Sequence, residues 1–316
     1  MTDRSGKHVT LVDPGALMRI KSLELRAKVI VEGFWQGIHR SPYRGFSVEF
    51  TEYRHYTPGD DPRYIDWRLY ARSDRLYIKM FEDETNLSCH LLVDHSRSMS
   101  YGSGAHTKAQ YAATLGATLA YFLFHQGDAV GLALFDDALG QYLPSRNRPN
   151  YLHRLMVALE TPPEGRATHL GRPIRQLAQM VTRRGLIVLI SDLLTPIDRL
   201  EWELGALFAR GHDVIVFQVL DPAELTLEMD TSALYEDLET GRELYVDPAT
   251  AKQGYKERLE RHLDQIQTLC RGLGVGYYLF DTNRPFDAAL LDFMQHRMRT
   301  RRARRRPRRA RSGGVQ

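Results

Sequence analysis

Between residues 85 and 220, four short runs of almost unbroken apolar residues, LSCHLLV (87–93), AVGLALF (129–135), LIVLI (186–190) and VIVFQVL (214–220), are separated by segments of a different period. A strand that carries apolar side chains on both faces must be covered on both faces, which is the situation of a parallel sheet with helices on either side. The intervening segments supply such helices. Tyr111, Leu115, Leu119 and Phe122 recur at helical spacing, as do Leu200, Leu204 and Leu207, the latter run closed by Gly211. The expected fold class is α/β, a doubly wound and mostly parallel sheet.

The flanking segments read differently. Residues 17–31 have a helical pattern, whereas 43–84 are rich in Tyr, Phe, Arg and turn formers, with strand-like FSVEF (46–50) and LYIKMF (76–81) around TPGDDP (57–62). After Leu220 come a hairpin pattern over 234–247, a long amphipathic helix carrying Tyr255, Leu259, Leu263, Ile266, Cys270 and Leu273, a strand at 275–280, and a helix over about 285–297. Four segments are expected: an N-terminal helical segment (1–32), a small antiparallel β-rich element with the PGDDPRYIDW motif (33–85), the α/β domain with its C-terminal extension (86–296), and a disordered Arg-rich tail (297–316).

Charge is distributed unevenly. The net charge is +4, yet residues 297–311 hold ten arginines and no acid, so the remainder has 33 basic against 39 acidic residues, a net of −6. Like charges with little to bury suit a solvated end; they also suit attraction to an anionic membrane, nucleic acid or an acidic protein, without sequence readout because aromatics are missing from the run. Cys89 and Cys270 lie inside apolar patterns and are expected as buried thiols. No apolar run reaches the length of a membrane span and the N-terminus lacks a signal-like apolar stretch, so a cytoplasmic or membrane-peripheral location is expected.

The chemistry concentrates where the first strand ends. Asp94, Ser96 and Ser98 alternate in LLVDHSRSMS, and alternation turns every second side chain toward one point while His95 and Arg97 face away. Open α/β sheets bind ligands outside the carboxyl ends of their strands, where Asp192 also falls. Hard oxygen donors of this kind suit Mg²⁺ or Mn²⁺. The same residue types also form loops and helix caps. Thr168, ahead of a further helical pattern, adds a third separated piece to the set.

Asp94-x-Ser96-x-Ser98 followed by Thr168 and Asp192 resembles the metal-ion-dependent adhesion site of von Willebrand factor A-type domains, over about residues 86–220. The resemblance implies that the hydroxyls and carboxylates hold the ion directly or through water and leave one position for an acidic group of a partner. Arg166 and Ala167 stand where many such domains have glycines, and Leu193 where adhesion domains often have one. The stretch from Gly37 to Glu84, with GHDVIVFQVLDPAEL (211–225), is similar to the bacterial family called domain of unknown function 58. That resemblance implies an adaptor or assembly role beside a MoxR-type AAA+ ATPase, with the ATPase or its client supplying the acid.

Other features leave open readings. Asp60, Asp61 and Asp66 could form a second acidic site, or pair structurally with Arg54, Arg63 and Arg68; the same surface, with Trp67, is a candidate for partner docking, while Trp67 by itself is expected as a core anchor. A phosphotransferase would want a carboxylate where Ser96 stands, and a serine nucleophile needs an oriented histidine, for which only His95, His169 and His212 come into question. A phosphate-cradling glycine loop is absent. The expectation is a non-enzymatic, metal-dependent interaction module, with a polyanion-binding factor and a metal-dependent hydrolase as alternatives.

Overall fold

The computed structural model describes residues 14–40, 52–57, 65, 67–80, 87–163, 171–227, 233–236, 243–246 and 248–305. They divide into two units, one made of the chain up to Phe34 together with everything from Leu87 onward, the other of Trp35–Asn86.

The first unit opens with α1 (Pro14–Met18) and α2 (Leu23–Arg40), the latter continuing into the second unit. The single helix expected over 17–31 is thus two. Ser22 divides them, its hydroxyl accepting from Leu25 N–H as an N-cap does. In the second unit, β1 (Glu52–His55) pairs antiparallel with β2 (Tyr77–Met80), and α3 (Trp67–Ser73) lies between them in sequence. Trp67 is 60% exposed and meets Tyr70 edge-on, so it is not a core anchor. Its place at the first turn of a short helix, beside polar neighbours, gives its ring little to bury against. FSVEF lies outside the described residues.

The main sheet has six strands: β3 (Ser88–Asp94), β4 (Ala129–Phe135), β5 (Leu139–Arg146), β6 (Leu186–Ser191), β7 (Asp213–Leu220) and, after a small hairpin of β8 (Ala233–Glu236) and β9 (Glu243–Val246), β10 (Gly276–Asp281). Their spatial order is β10-β7-β6-β3-β4-β5, parallel throughout except for the antiparallel edge pair β4–β5. The fold is therefore α/β with a mostly parallel sheet. Edge strand β5 escapes the sequence pattern because it is largely polar and contains Pro144, which an edge tolerates and a central strand does not.

Helices cover both faces. They are α4 (Lys108–His125), α5 (Tyr151–Leu159), α6 (Gly171–Met180), α7 (Ile197–Ala209), the short α8 (Pro222–Thr226), α9 (Pro248–Leu273) and α10 (Phe286–Arg305). Leu92, Ala133, Leu189 and Val216 point to one side, where Ile174 and Leu177 of α6, Leu200 and Leu204 of α7, and Ile266 and Cys270 of α9 close over them. On the other side α4 packs with Gly116 facing Val93 of β3 and Leu159 of α5. Phe122 of α4 meets Phe34 of α2 and Phe293 of α10 edge-on. Each such buried Leu or Phe contributes about 1.5–3 kcal/mol. Both cysteines are buried free thiols.

Helix α10 runs well into the segment expected to be disordered, as far as Arg305. Arginine, alanine and methionine are good helix formers, and a folded helix needs only to be extended. Arg297 is also anchored: its guanidinium lies 3.1 Å from Asp128 Oδ2, donates to Gln126 Oε1, and sits over the Phe293 ring. Residues 306–316 lie outside the described part. Among the described residues, no helix is long and apolar enough to cross a membrane.

Glu203 on α7 is 5% exposed and its Oε2 has no hydrogen-bond partner among the described residues. Gly171 opens α6 beside it because any side chain there would collide with Glu203 Oε1. Burial lifts this carboxyl to about 7, against the pull of Arg175 and Arg199. The folded state then keeps a proton that the unfolded chain loses near its ordinary value, so stability falls as pH rises from about 4.5 toward 7. Glu203→Gln is expected to match the wild type in urea denaturation below that window and to exceed it at pH 8 by up to about 3 kcal/mol. Equal stability of the two proteins at pH 8 would refute the assignment.

Candidate metal centre

The strand order reverses between β3 and β6: from β3 the chain proceeds outward to β4, whereas β6 lies on its other side and leads to β7. Such a switch point opens a crevice at the carboxyl ends of the two strands. Parallel register pairs Val93 with Ile190, so Asp94 and Ser191 emerge side by side, with Asp192 next. The sheet itself brings the two carboxylates together.

Asp94 is fully buried and held on both oxygens. Oδ1 accepts from Ser96 N–H (2.9 Å) and Oδ2 from the Ser191 hydroxyl (2.6 Å). Ser96 precedes a 3₁₀ turn, Arg97–Ser100, which swings Ser98 back so that the two serine oxygens lie 3.0 Å apart. Ser98 in turn donates to Asp192 Oδ2 at 2.8 Å. Asp94, Ser96, Ser98 and Asp192 thus form one continuous oxygen cluster. Thr168 lies outside the described residues, as do Arg166 and Ala167. So do Asp60, Asp61, Arg63 and Asp66; of Arg54 only the backbone, paired with Ile78, is described.

Carboxylate and hydroxyl oxygens are the hard donors that Mg²⁺ accepts. Here they are joined to one another by hydrogen bonds of ordinary length, 3.0 Å between Ser96 and Ser98 and 2.8 Å from Ser98 to Asp192. Burial, reinforced by the neighbouring Asp192 charge, pushes the Asp94 carboxyl up to about 7, in spite of the hydrogen bonds from Ser191 and Ser96. Buried negative charge in excess of its counterions is what a divalent ion relieves.

Residues that the motif did not reveal complete the site. Lys108 is fully buried, and its ammonium contacts Asp192 Oδ2 at 2.8 Å and Glu224 Oε1 at 2.6 Å. Burial works against its charge, but the two carboxylates outweigh it and the net shift is upward. Glu224, itself raised by burial against the pull of Lys108, closes a capping box at the start of α8 by accepting from Asp221 N–H. Asp221 accepts from Ser103 N–H and hydroxyl, which ties the DxSxS loop to α8. Gln218 donates to the Asp192 carbonyl and is fixed by the Tyr277 hydroxyl. Gly102 permits this loop to fold, since a side chain there would strike the backbone of His106 and Thr107.

The hydroxyls of Ser96 and Ser98 bond to each other and to Asp192. Of the histidines considered as bases, His212 precedes β7 at the amino ends of the parallel strands, opposite the end where Asp94 emerges, and His169 lies outside the described residues.

An open, mostly parallel α/β sheet with an oxygen cluster at its switch point defines the class of protein. Residues 52–265 match the family described as Protein of unknown function DUF58, and the chain belongs to that family. An uncharacterized protein of Mycobacterium tuberculosis, Rv1480, is 29% identical over 292 residues, covering 91% of each chain. The crystal structure of conserved hypothetical protein BatB from Bacteroides thetaiotaomicron is similar with a TM-score of 0.46 and 15% identity, covering 67% of this chain and 99% of that one. The SpRpn10 VWA domain is similar with a TM-score of 0.39 and 14% identity, over 65% of this chain and 93% of that one.

Leu193, just after Asp192, has φ 52°, in the left-handed region that favours glycine. Its side chain is 0% exposed and packs in the core beside α7 and α9, so the leucine accepts backbone strain in exchange for burial. Its N–H donates to Ser191 Oγ and its carbonyl accepts from His262 Nε2. Both Leu193→Gly and Leu193→Ala lose packing, about 2–5 kcal/mol. Only glycine recovers the strain, about 1–2 kcal/mol. Chemical denaturation is expected to rank alanine as the more damaging replacement; the reverse ranking would show that the strained backbone does not matter here.

Proposed function

We propose that this protein is a non-enzymatic interaction module in which Asp94, Ser96, Ser98 and Asp192, with Thr168, hold Mg²⁺ or Mn²⁺ for completion by a carboxylate of a partner protein. The observation that carries this reading is the contiguous cluster of carboxylate and hydroxyl oxygens at the switch point. A bound divalent ion would supply a positive centre of high field that an acidic side chain can ligate. The chain's own part is to present oxygens on a rigid sheet edge: Ser191 and Ser96 N–H orient Asp94, and Gln218 fixes the backbone at Asp192.

The resemblance to proteins encoded beside MoxR-type AAA+ ATPases makes such an ATPase, or a client passed to it, the proposed partner. Adaptor or assembly cofactor is the role this implies.

Asp94→Asn keeps the shape and removes the charge. Saturating Mg²⁺ at about a hundredfold over its dissociation constant is expected to stabilise the wild type by about 2.7 kcal/mol and to leave the variant unchanged. Recovery of the MoxR-type ATPase from lysate of the native host should require both Asp94 and Mg²⁺. Equal recovery by wild type and variant, with Mg²⁺ and with EDTA alike, would end this reading.

A further inference from the structure

Lys108 stands where elementary rules disfavour a lysine. It is the first residue of α4, whose positive dipole end repels a cation, and its side chain is wholly buried. Thr107 caps the helix with Gln110, so the lysine is not needed for capping. What holds it is a pair of carboxylates on different elements, Asp192 after β6 and Glu224 on α8. Asp192 Oδ2 receives the Lys108 ammonium and the Ser98 hydroxyl on the same oxygen, both at 2.8 Å. That oxygen is one of those which would face a divalent ion.

We infer that Lys108 is a resident cation that competes with the divalent ion for Asp192, keeping the empty site assembled and holding its metal affinity low until a partner carboxylate arrives. The inference rests on the metal-binding reading above and concerns its regulation. Among the described residues, Asp192 and Glu224 both contact the single ammonium, and Asp94 is linked to the same cluster through Ser96 and Ser98, so carboxylates outnumber cations. A divalent ion would balance the excess, but only by lying close to Lys108, whose repulsion across a few ångströms of poorly screened interior is large. An added carboxylate from a partner offsets that repulsion. Ion and partner then bind together more strongly than either binds alone.

The lysine cannot swing away, because Glu224 retains it. Glu224 uses its other oxygen on Asp221 N–H, and its carbonyl accepts the Tyr255 hydroxyl of α9. The competing charge is therefore built into the frame of the site.

The test is calorimetric titration of the full chain with Mn²⁺ alone, on wild type, Lys108→Met and the double variant Lys108→Met with Glu224→Gln, each checked for folding by circular dichroism. The double variant removes one charge of each sign, so the cluster keeps its net charge, and it leaves no carboxylate facing an absent lysine at Glu224. Both variants are expected to bind Mn²⁺ about tenfold or more tightly than wild type. Should Lys108→Met fail to fold, the double variant decides alone. Wild-type affinity equal to or higher than that of the folded variants overturns the competition. Absence of Mn²⁺ binding in wild type and variants alike overturns the metal reading itself.

Discussion

The parallel pairing of β3 with β6 is the constraint on which the remainder of this molecule depends. It joins two strands distant in sequence, buries both on both faces, and delivers Asp94 and Ser191 to one edge in register. A slip of one residue would turn Asp94 into the apolar layer and bring Val93 to the crevice, exchanging every inward and outward side chain of the strand. Because Leu91, Leu92 and Val93 are fully buried against helices on either side, that slip is strongly opposed. The geometry of the oxygen cluster thus derives from hydrophobic packing some way below it.

This dependence explains what could be read from the chain alone. The four central strands were legible because two-sided burial leaves an unbroken apolar run; edge strand β10 was legible from its aromatic and aliphatic composition, and the α9 face from its helical spacing. Edge strand β5 was not, since one-sided pairing demands little of its composition. The continuation of α10 was misread because ten arginines dominate the segment, whereas the anchor lies in a single residue, Arg297, whose partner Asp128 is far away in sequence. Trp67 was misjudged on residue type, its local helix offering little cover.

The site shows the same division between local and distant information. Asp94, Ser96 and Ser98 form a local pattern and could be named from spacing; Asp192 followed from its place after a strand. Ser191, Gln218, Tyr277 and Glu224 act through contacts that only the sheet order creates. Lys108 did leave a trace: a lysine directly after a capping threonine, at the wrong end of a helix dipole and ahead of an apolar run. Leu193 left another, as a bulky residue where the resemblance expects glycine, and its φ of 52° lies in the region that glycine favours.

A buried cluster of this composition cannot rest on desolvation arguments alone. Taking Asp94, Asp192 and Glu224 out of water is costly, and a single lysine compensates only part of it. Ser96 N–H and the Ser191 hydroxyl hold the two oxygens of Asp94, the Ser98 hydroxyl donates to Asp192, and Lys108 is tethered from behind by Glu224. An arrangement organised by hydrogen bonds, yet left with more carboxylates than cations among the described residues, is what the proposed binding of a divalent ion would complete.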